Sequence, residues 1–323
     1  MCGIIFNMIL FLIIAVFLLA YVNGANDNFK GVATLWSSKV LSYKQAITLT
    51  SIATFLGSVT ALFFVSTLLK NFSGKGLVPD EIIRGLPFIL SVAAGGAFTV
   101  LLATKFGFPV STTHALVGGL VGAGFMAVGP EIQFQTLGKT FLLPLILSPI
   151  VATVLSIPLY MLVKKIDAKN KKMENNIHIF SAAVVCFSRG LNDTPKIVSL
   201  LLISQNFEMT YNFLLIGLVI AIGGILNAKK VANTMAHKLA ILSPQQGLAA
   251  NAVTGLLVIS ASVFGLPVST THVSVGAIFG VGTVEKNANP KELFKILLSW
   301  LLTLPIAIFI ALISYYFIIF INK

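Results

Sequence analysis

Ten long apolar runs occupy most of the chain, near positions 3–22, 46–67, 85–104, 108–128 and 137–163, then 177–203, 211–227, 246–264, 266–284 and 292–321. A helix needs about 20 apolar residues to cross a bilayer. The pattern therefore predicts an all-α, polytopic transmembrane helical bundle, with five runs on each side of a polar stretch. Glycine, proline and polar residues interrupt several runs, which predicts broken helices or re-entrant hairpins and leaves room for more than ten crossings. The first run ends near the small residues Gly24 and Ala25, as a secretory leader would, but it lacks a basic stretch ahead of it. The segment after it reappears halfway along the chain with its own apolar lead-in, so the run is read as the first span.

That reappearance is one of two. Residues 106–124 read FGFPVSTTHALVGGLVGAG and residues 264–282 read FGLPVSTTHVSVGAIFGVG, identical at 12 of 19 positions at an offset of 158. Likewise GANDNFKGVA at 24–33 matches GLNDTPKIVS at 190–199, at an offset of 166, with Gly, Asn, Asp and Lys in register. Both motifs occur in the same order in each half, the mark of a duplicated unit. Residues 1–163 are expected to form the first repeat, 164–176 a basic linker and 177–323 the second repeat. If each repeat crosses an odd number of times, the two are inverted. Transporters use such inverted repeats and hold substrate at their interface near the midplane.

Composition narrows the class. Apolar residues make up 57% of the chain and charged residues 10%, against about 45–50% and 25% in soluble domains. The surplus hydrocarbon has to face a lipid bilayer, which excludes a large extramembrane catalytic domain. The net charge is +12, but the basic residues lie mostly between the runs. They are densest at Lys164, Lys165, Lys169, Lys171 and Lys172, which puts that loop on the cytoplasmic side and accounts for the charge without a nucleic-acid partner. Cys2 and Cys186 are the only cysteines, too few for a disulfide framework or a Cys-rich metal site. No Walker A sequence is present, so ATP hydrolysis is not expected.

Of the acids, all but Asp27 and Asp193 fall in or beside predicted loops, and these two hold the same place in the two GxND motifs. An ionised side chain at mid-bilayer costs at least about 2.5–3.5 kcal/mol, so a matched pair points to ligand binding, the alternative being a carboxylate that caps a broken helix. Carboxylates, the Asn26 and Asn192 amides and unwound carbonyls would suit a hard cation such as Na⁺. Gly24 and Gly190 are expected to let the backbone turn there. Lys30 and Lys196 could neutralise the acids, line an anion entrance or snorkel to the interface. Arg189 has no counterpart in the first copy, where Asn23 stands, and reads as structural or peripheral.

Pro109 and Pro267 break or start helices, so Ser111, Thr112 and Thr113, and equally Ser269, Thr270 and Thr271, should open new ones. Each opening would offer amide N–H groups, hydroxyls and the positive end of a helix dipole, a ready site for a phosphate-like anion. Ordinary N-capping is the alternative. His114 and His272 read as packed, hydrogen-bonded residues rather than ligands. The glycine-rich tails after them read as close helix packing.

On GANDNFKGVA, GLNDTPKIVS and the two FGxPVSTTH segments, the sequence resembles the inorganic phosphate transporter (PiT) family of sodium- or proton-coupled permeases along essentially its whole length. The resemblance implies a multi-pass plasma-membrane transporter rather than an enzyme. It also implies a transport unit holding both motif pairs, a scaffold unit and frequent homodimers. The implied cargo is inorganic phosphate, with sodium ions as coupling ions and no other cofactor. By position, phosphate would lie between the two Ser-Thr-Thr helix starts within reach of Asp27 and Asp193, and sodium at Asn26, Asp27, Asn192 and Asp193. Thr194 and Pro195 stand where the first copy has Asn28 and Phe29, so the cation sites need not be equivalent. Phosphate at neutral pH keeps a proton to donate to Asp27 or Asp193, and sulfate does not. Competing readings are a proton-coupled phosphate or sulfate permease of the same fold, an anion channel, and a phosphotransfer enzyme using Asp27 or Asp193, for which no base or metal cluster is evident.

Overall fold

The computed structural model describes residues 2–64, 66–165, 170–202 and 208–321, with side chains from residue 6 onward except that of Ser66. The described residues are helical apart from turns and two isolated bridges. In order they form α1 (Cys2–Asp27), α2 (Phe29–Ser37), α3 (Tyr43–Ala61), α4 (Ser66–Phe72), α5 (Leu86–Phe106), α6 (Thr112–Val128) and α7 (Phe134–Lys164). The second half forms α8 (Lys171–Val198), α9 (Met209–Asn227), α10 (Lys229–Asn233), α11 (Pro244–Val263), α12 (Thr270–Val284) and α13 (Pro290–Ile321). The chain breaks from α5 into α6, and from α11 into α12, at the two FGxPVS segments. There Gly107 (φ 75°) and Gly265 (φ 70°) take the left-handed conformation that ends the incoming helix.

Among the described residues seven helices, fewer than the ten apolar runs, are long and apolar enough to cross a membrane. The shortfall has a physical cause. α8 carries buried Arg189, Asp193 and Lys196, and α3 carries buried Thr50, Ser51, Thr54 and Ser58, so both are too polar to qualify although they run through the centre. α12, at 15 residues, is short. Large apolar side chains such as Phe11, Phe98, Ile150, Leu226, Leu301 and Phe309 stand exposed, an outer surface that only lipid would cover without cost. The protein is a multi-pass integral membrane protein.

The halves interlock reciprocally. α1 packs on α9 and on α5, while α8 packs on α3 and on α11; α6 packs on α13 while α12 packs on α7; and α3 and α9 meet each other. The short helices follow the same rule. Asn71 of α4 donates to the Gly265 carbonyl (3.2 Å) before α12, and Lys230 of α10 donates to the Lys105 carbonyl before α6. Each chain break is thus tied down by the other half.

Two expectations are corrected. α8 starts at Lys171, N-capped by Asn170, so the second half's helix begins inside the stretch read as linker; positions 166–169 of that stretch, including Lys169, lie outside the described residues. Nor does the backbone turn at Gly24 and Gly190. Both are helical, and α8 runs on past Pro195 without a break, while α1 gives way to α2 only at Asn28. What the glycines supply is room. A Cβ would lie 1.9 Å from the Ile220 carbonyl oxygen at Gly24, and 2.0 Å from that of Thr54 at Gly190, so a side chain would force α1 off α9 and α8 off α3.

Candidate functional site

Both motif pairs converge on one sealed centre. Asn26, Asp27, Lys30, Asn192, Asp193, Lys196 and both Ser-Thr-Thr triplets are each at most 3% exposed. The sequence-named residues therefore come together, closed off from lipid and from solvent.

Within each triplet the three hydroxyls divide their work in the same way. Ser111 and Ser269 cap α6 and α12, each accepting from the third amide onward, of His114 and His272, at 3.1 Å. The capping alternative thus holds for the serines. The next hydroxyl turns to an acid: Thr112 donates to Asp27 (3.1 Å) and Thr270 to Asp193 (3.4 Å). The third reaches the other repeat: Thr113 donates to the Val268 carbonyl (3.3 Å), and Thr271 lies 3.1 Å from the Val110 carbonyl and 2.7 Å from an Asp27 carboxylate oxygen, its one proton facing both. These reciprocal straps hold the two helix starts against one another.

The asparagines fix the loops. Asn26 donates to Thr104 (2.9 Å) and to the Phe108 carbonyl (3.0 Å) and accepts from the Val110 amide (3.0 Å). Asn192 donates to Ser262 (2.8 Å), the residue equivalent to Thr104. Carbonyls turned toward the centre are those of Val110 and Val268 in the broken loops and that of Asp27, where α1 gives way to α2.

The acids are already paired. Lys30 sits 3.0 Å from an Asp27 carboxylate oxygen and donates to the Asp27 carbonyl (3.1 Å). Lys196 lies 3.3 Å from Asp193. Of the three roles open to these lysines, neutralising the acids is the one seen. Arg189, read as structural or peripheral, is not peripheral: it is fully buried at the centre. It donates to the Asn23 carbonyl (3.1 Å) and side-chain oxygen (2.7 Å), contacts Asn28 and Thr54, and lies 3.6 Å from Asp193. Asn23 in turn places one amide nitrogen 3.1 Å from Asp27, 3.0 Å from Thr112 and 3.4 Å from Asp193. With the side chains in their ordinary charge states, Lys30, Arg189 and Lys196 outnumber Asp27 and Asp193 by one positive charge.

His114 and His272 meet each other edge to face, ring centroids 4.7 Å apart, and His272 stacks on Trp300 at 3.8 Å and bonds the Leu145 carbonyl (3.1 Å). They pack behind the triplets, with His114 Nδ1 and His272 Nε2 buried and without a hydrogen-bond partner among the described residues. Trp300 also donates to the Pro109 carbonyl (2.9 Å), tying α13 to the first loop. Among the described residues no group of three or more His, Cys, Asp or Glu could hold a metal ion; the cation ligands on offer are oxygens of mixed kind.

The profile of the phosphate transporter family matches residues 23–178 and 167–311. A Bacillus subtilis protein described as a probable low-affinity inorganic phosphate transporter is 30% identical over 96% of this chain and 97% of its own length. A Rhizobium meliloti protein of the same description is 30% identical over 92% of each chain. A solved structure, described as the sodium-dependent phosphate transporter, superposes with a TM-score of 0.87 over 98% of this chain and 100% of its own, at 24% identity, and shares the fold. The chain belongs to the phosphate transporter family, whose members are membrane transport proteins rather than enzymes.

Proposed function

We propose that the protein is a sodium-coupled symporter of inorganic phosphate that works by alternating access. The observation that carries this reading is the sealed centre, where two helix starts are strapped together beside two acid–lysine pairs. Two converging helix dipoles and a net positive charge favour an anion there. Carboxylate, amide, hydroxyl and carbonyl oxygens in the same shell suit Na⁺. A site closed on every side is reached only when the surrounding helices part, and the interlocked repeats supply two related ways to part. The solved relative of the same fold, described as sodium-dependent, points the same way.

The resident lysines change the electrostatics of coupling. An incoming phosphate does not meet two bare carboxylates, because Lys30 and Lys196 already compensate them. Sodium instead adds charge to a nearly balanced cluster, and so raises its attraction for the anion. A protonated phosphate oxygen can donate to Asp27 or Asp193, which sulfate cannot do.

Phosphate uptake into proteoliposomes, with and without a sodium gradient, tests the reading. Asp27→Asn and Asp193→Asn are each expected to insert normally and to lose at least tenfold of sodium-stimulated uptake. Full sodium-stimulated uptake by the double variant would remove the acids from the mechanism. Wild-type uptake driven by a pH gradient and indifferent to sodium would replace sodium by the proton.

A further inference from the structure

The two lysines hold equivalent positions in the repeats, yet their surroundings differ. Among the described residues Lys30 bonds to Asp27, through the carboxylate and the main-chain carbonyl. Lys196 is ringed by oxygens of four kinds drawn from both halves: the Asn192 amide, the Asp193 carboxylate (3.3 Å), the Thr113 hydroxyl (2.8 Å) and the Val268 carbonyl (2.9 Å). A lysine that only balanced an acid would need the carboxylate alone. Mixed hard oxygens gathered about one positive centre are what a bare cation takes.

The first half has the matching oxygens, but its lysine does not gather them. There the Thr271 hydroxyl lies 2.7 Å from Asp27 and 3.1 Å from the Val110 carbonyl, its one proton facing both, and the Asn26 oxygen accepts from the Val110 amide. The duplication therefore built two oxygen clusters, and an ammonium fills one of them.

Resting on the cation-coupled reading above, we infer that the Lys196 ammonium is a tethered cation that occupies the second half's cation position in the unloaded carrier and gives way when a coupling ion binds. Two consequences follow from charge alone. An unloaded symporter has to reorient with its acids buried, and a buried carboxylate without a close partner is strongly disfavoured; the tethered ammonium, at 3.3 Å, is the nearer partner of Asp193, with Arg189 at 3.6 Å on the other oxygen. When Na⁺ takes the oxygens, the ammonium is displaced but not lost, so the centre gains a full positive charge and attracts phosphate more strongly. The Phe72 ring, whose centroid lies 5.6 Å from the same nitrogen, offers a neighbouring cation-tolerant surface to which it can shift.

The test compares Lys196→Met and Lys196→Arg with wild type in proteoliposomes, measuring net phosphate uptake, which requires return of the unloaded carrier, and phosphate–phosphate exchange, which does not. Lys196→Met is expected to lower the ratio of net uptake to exchange at least tenfold and to lower the half-saturating sodium concentration at least threefold, because the competitor is gone. Lys196→Arg keeps the charge and should hold the ratio within twofold, while its five donors grip the oxygens and raise the sodium requirement. An unchanged ratio in Lys196→Met, or sodium shifts of the same sign in both variants, overturns the inference. Should Lys196→Met fail to accumulate, Lys196→Arg decides alone: an unaltered sodium requirement overturns it. A wild-type protein indifferent to sodium would defeat the sodium reading separately, and the net-to-exchange ratio would still judge the lysine.

Discussion

Removing Arg189 tests how the centre is held together. In Arg189→Met the guanidinium's charge-assisted bonds to Asn23, at 3.1 and 2.7 Å, are lost, at about 1.5–3 kcal/mol each. Its weaker contacts to Asn28 and Thr54, at 3.4 and 3.3 Å, go with them. Part of this is offset, because a methionine no longer has to shed the hydration of a buried ion. Breaking a buried polar pair by removing one member costs about 3–5 kcal/mol in total, and Asp193 keeps Lys196 as a partner, so the lower end, about 3 kcal/mol, is expected. Unfolding of the purified protein in mixed micelles on titration with a denaturing detergent, followed by tryptophan fluorescence, measures it. Arg189→Lys should recover less than half, because one ammonium cannot reproduce a fork that reaches two sides at once. A loss below about 1 kcal/mol in Arg189→Met, no larger than an average substitution, would refute the claim that the guanidinium joins the halves.

Two other predictions concern packing and the surface. A Cβ at Gly276 would lie 2.3 Å from the Pro149 carbonyl oxygen, whereas one at Gly138 would meet nothing within 4 Å; Gly276→Val should therefore abolish a monodisperse size-exclusion peak, with overpacking costing upward of about 1–3 kcal/mol, and Gly138→Ala should leave the peak intact. At the end of α12, the Lys164 ammonium (2.7 Å) and the Tyr160 hydroxyl (3.0 Å) hold the Glu285 carboxyl below its ordinary value of 4.5. A depressed carboxyl stabilises above that ordinary value and loses its contribution as pH falls through the depressed one, so Glu285→Gln should flatten a small acid-side slope in thermal stability and change little at neutral pH; an unaltered slope would count against the tie.

Much of this centre is legible in the sequence because duplication marks its own essentials. Asp27 and Asp193 stand out as matched acids at lipid depth, and the repeated Ser-Thr-Thr locates the helix starts that the fold brings face to face. The central place of Arg189 is hidden for the same reason. Looking for matched positions discounts a residue whose counterpart differs, yet Asn23 and Arg189 are equivalent positions that bond each other across the pseudo-twofold relation. A mismatch next to a repeated motif is the available signal. α3 and α8 are visible as apolar runs, but their polarity, the part that bears on function, emerges only when their threonines, serines and charges are seen to face one interior. The glycines of the GxND motifs read as hinges because glycine permits both turning and close approach, and only the neighbouring helix decides between them.

The crossed threonines have a bearing on origins. Because Thr113 is anchored in the second loop and Thr271 in the first, each half's pocket is closed by a residue of the other. A chain of half the length would close such a centre by two copies clasping each other.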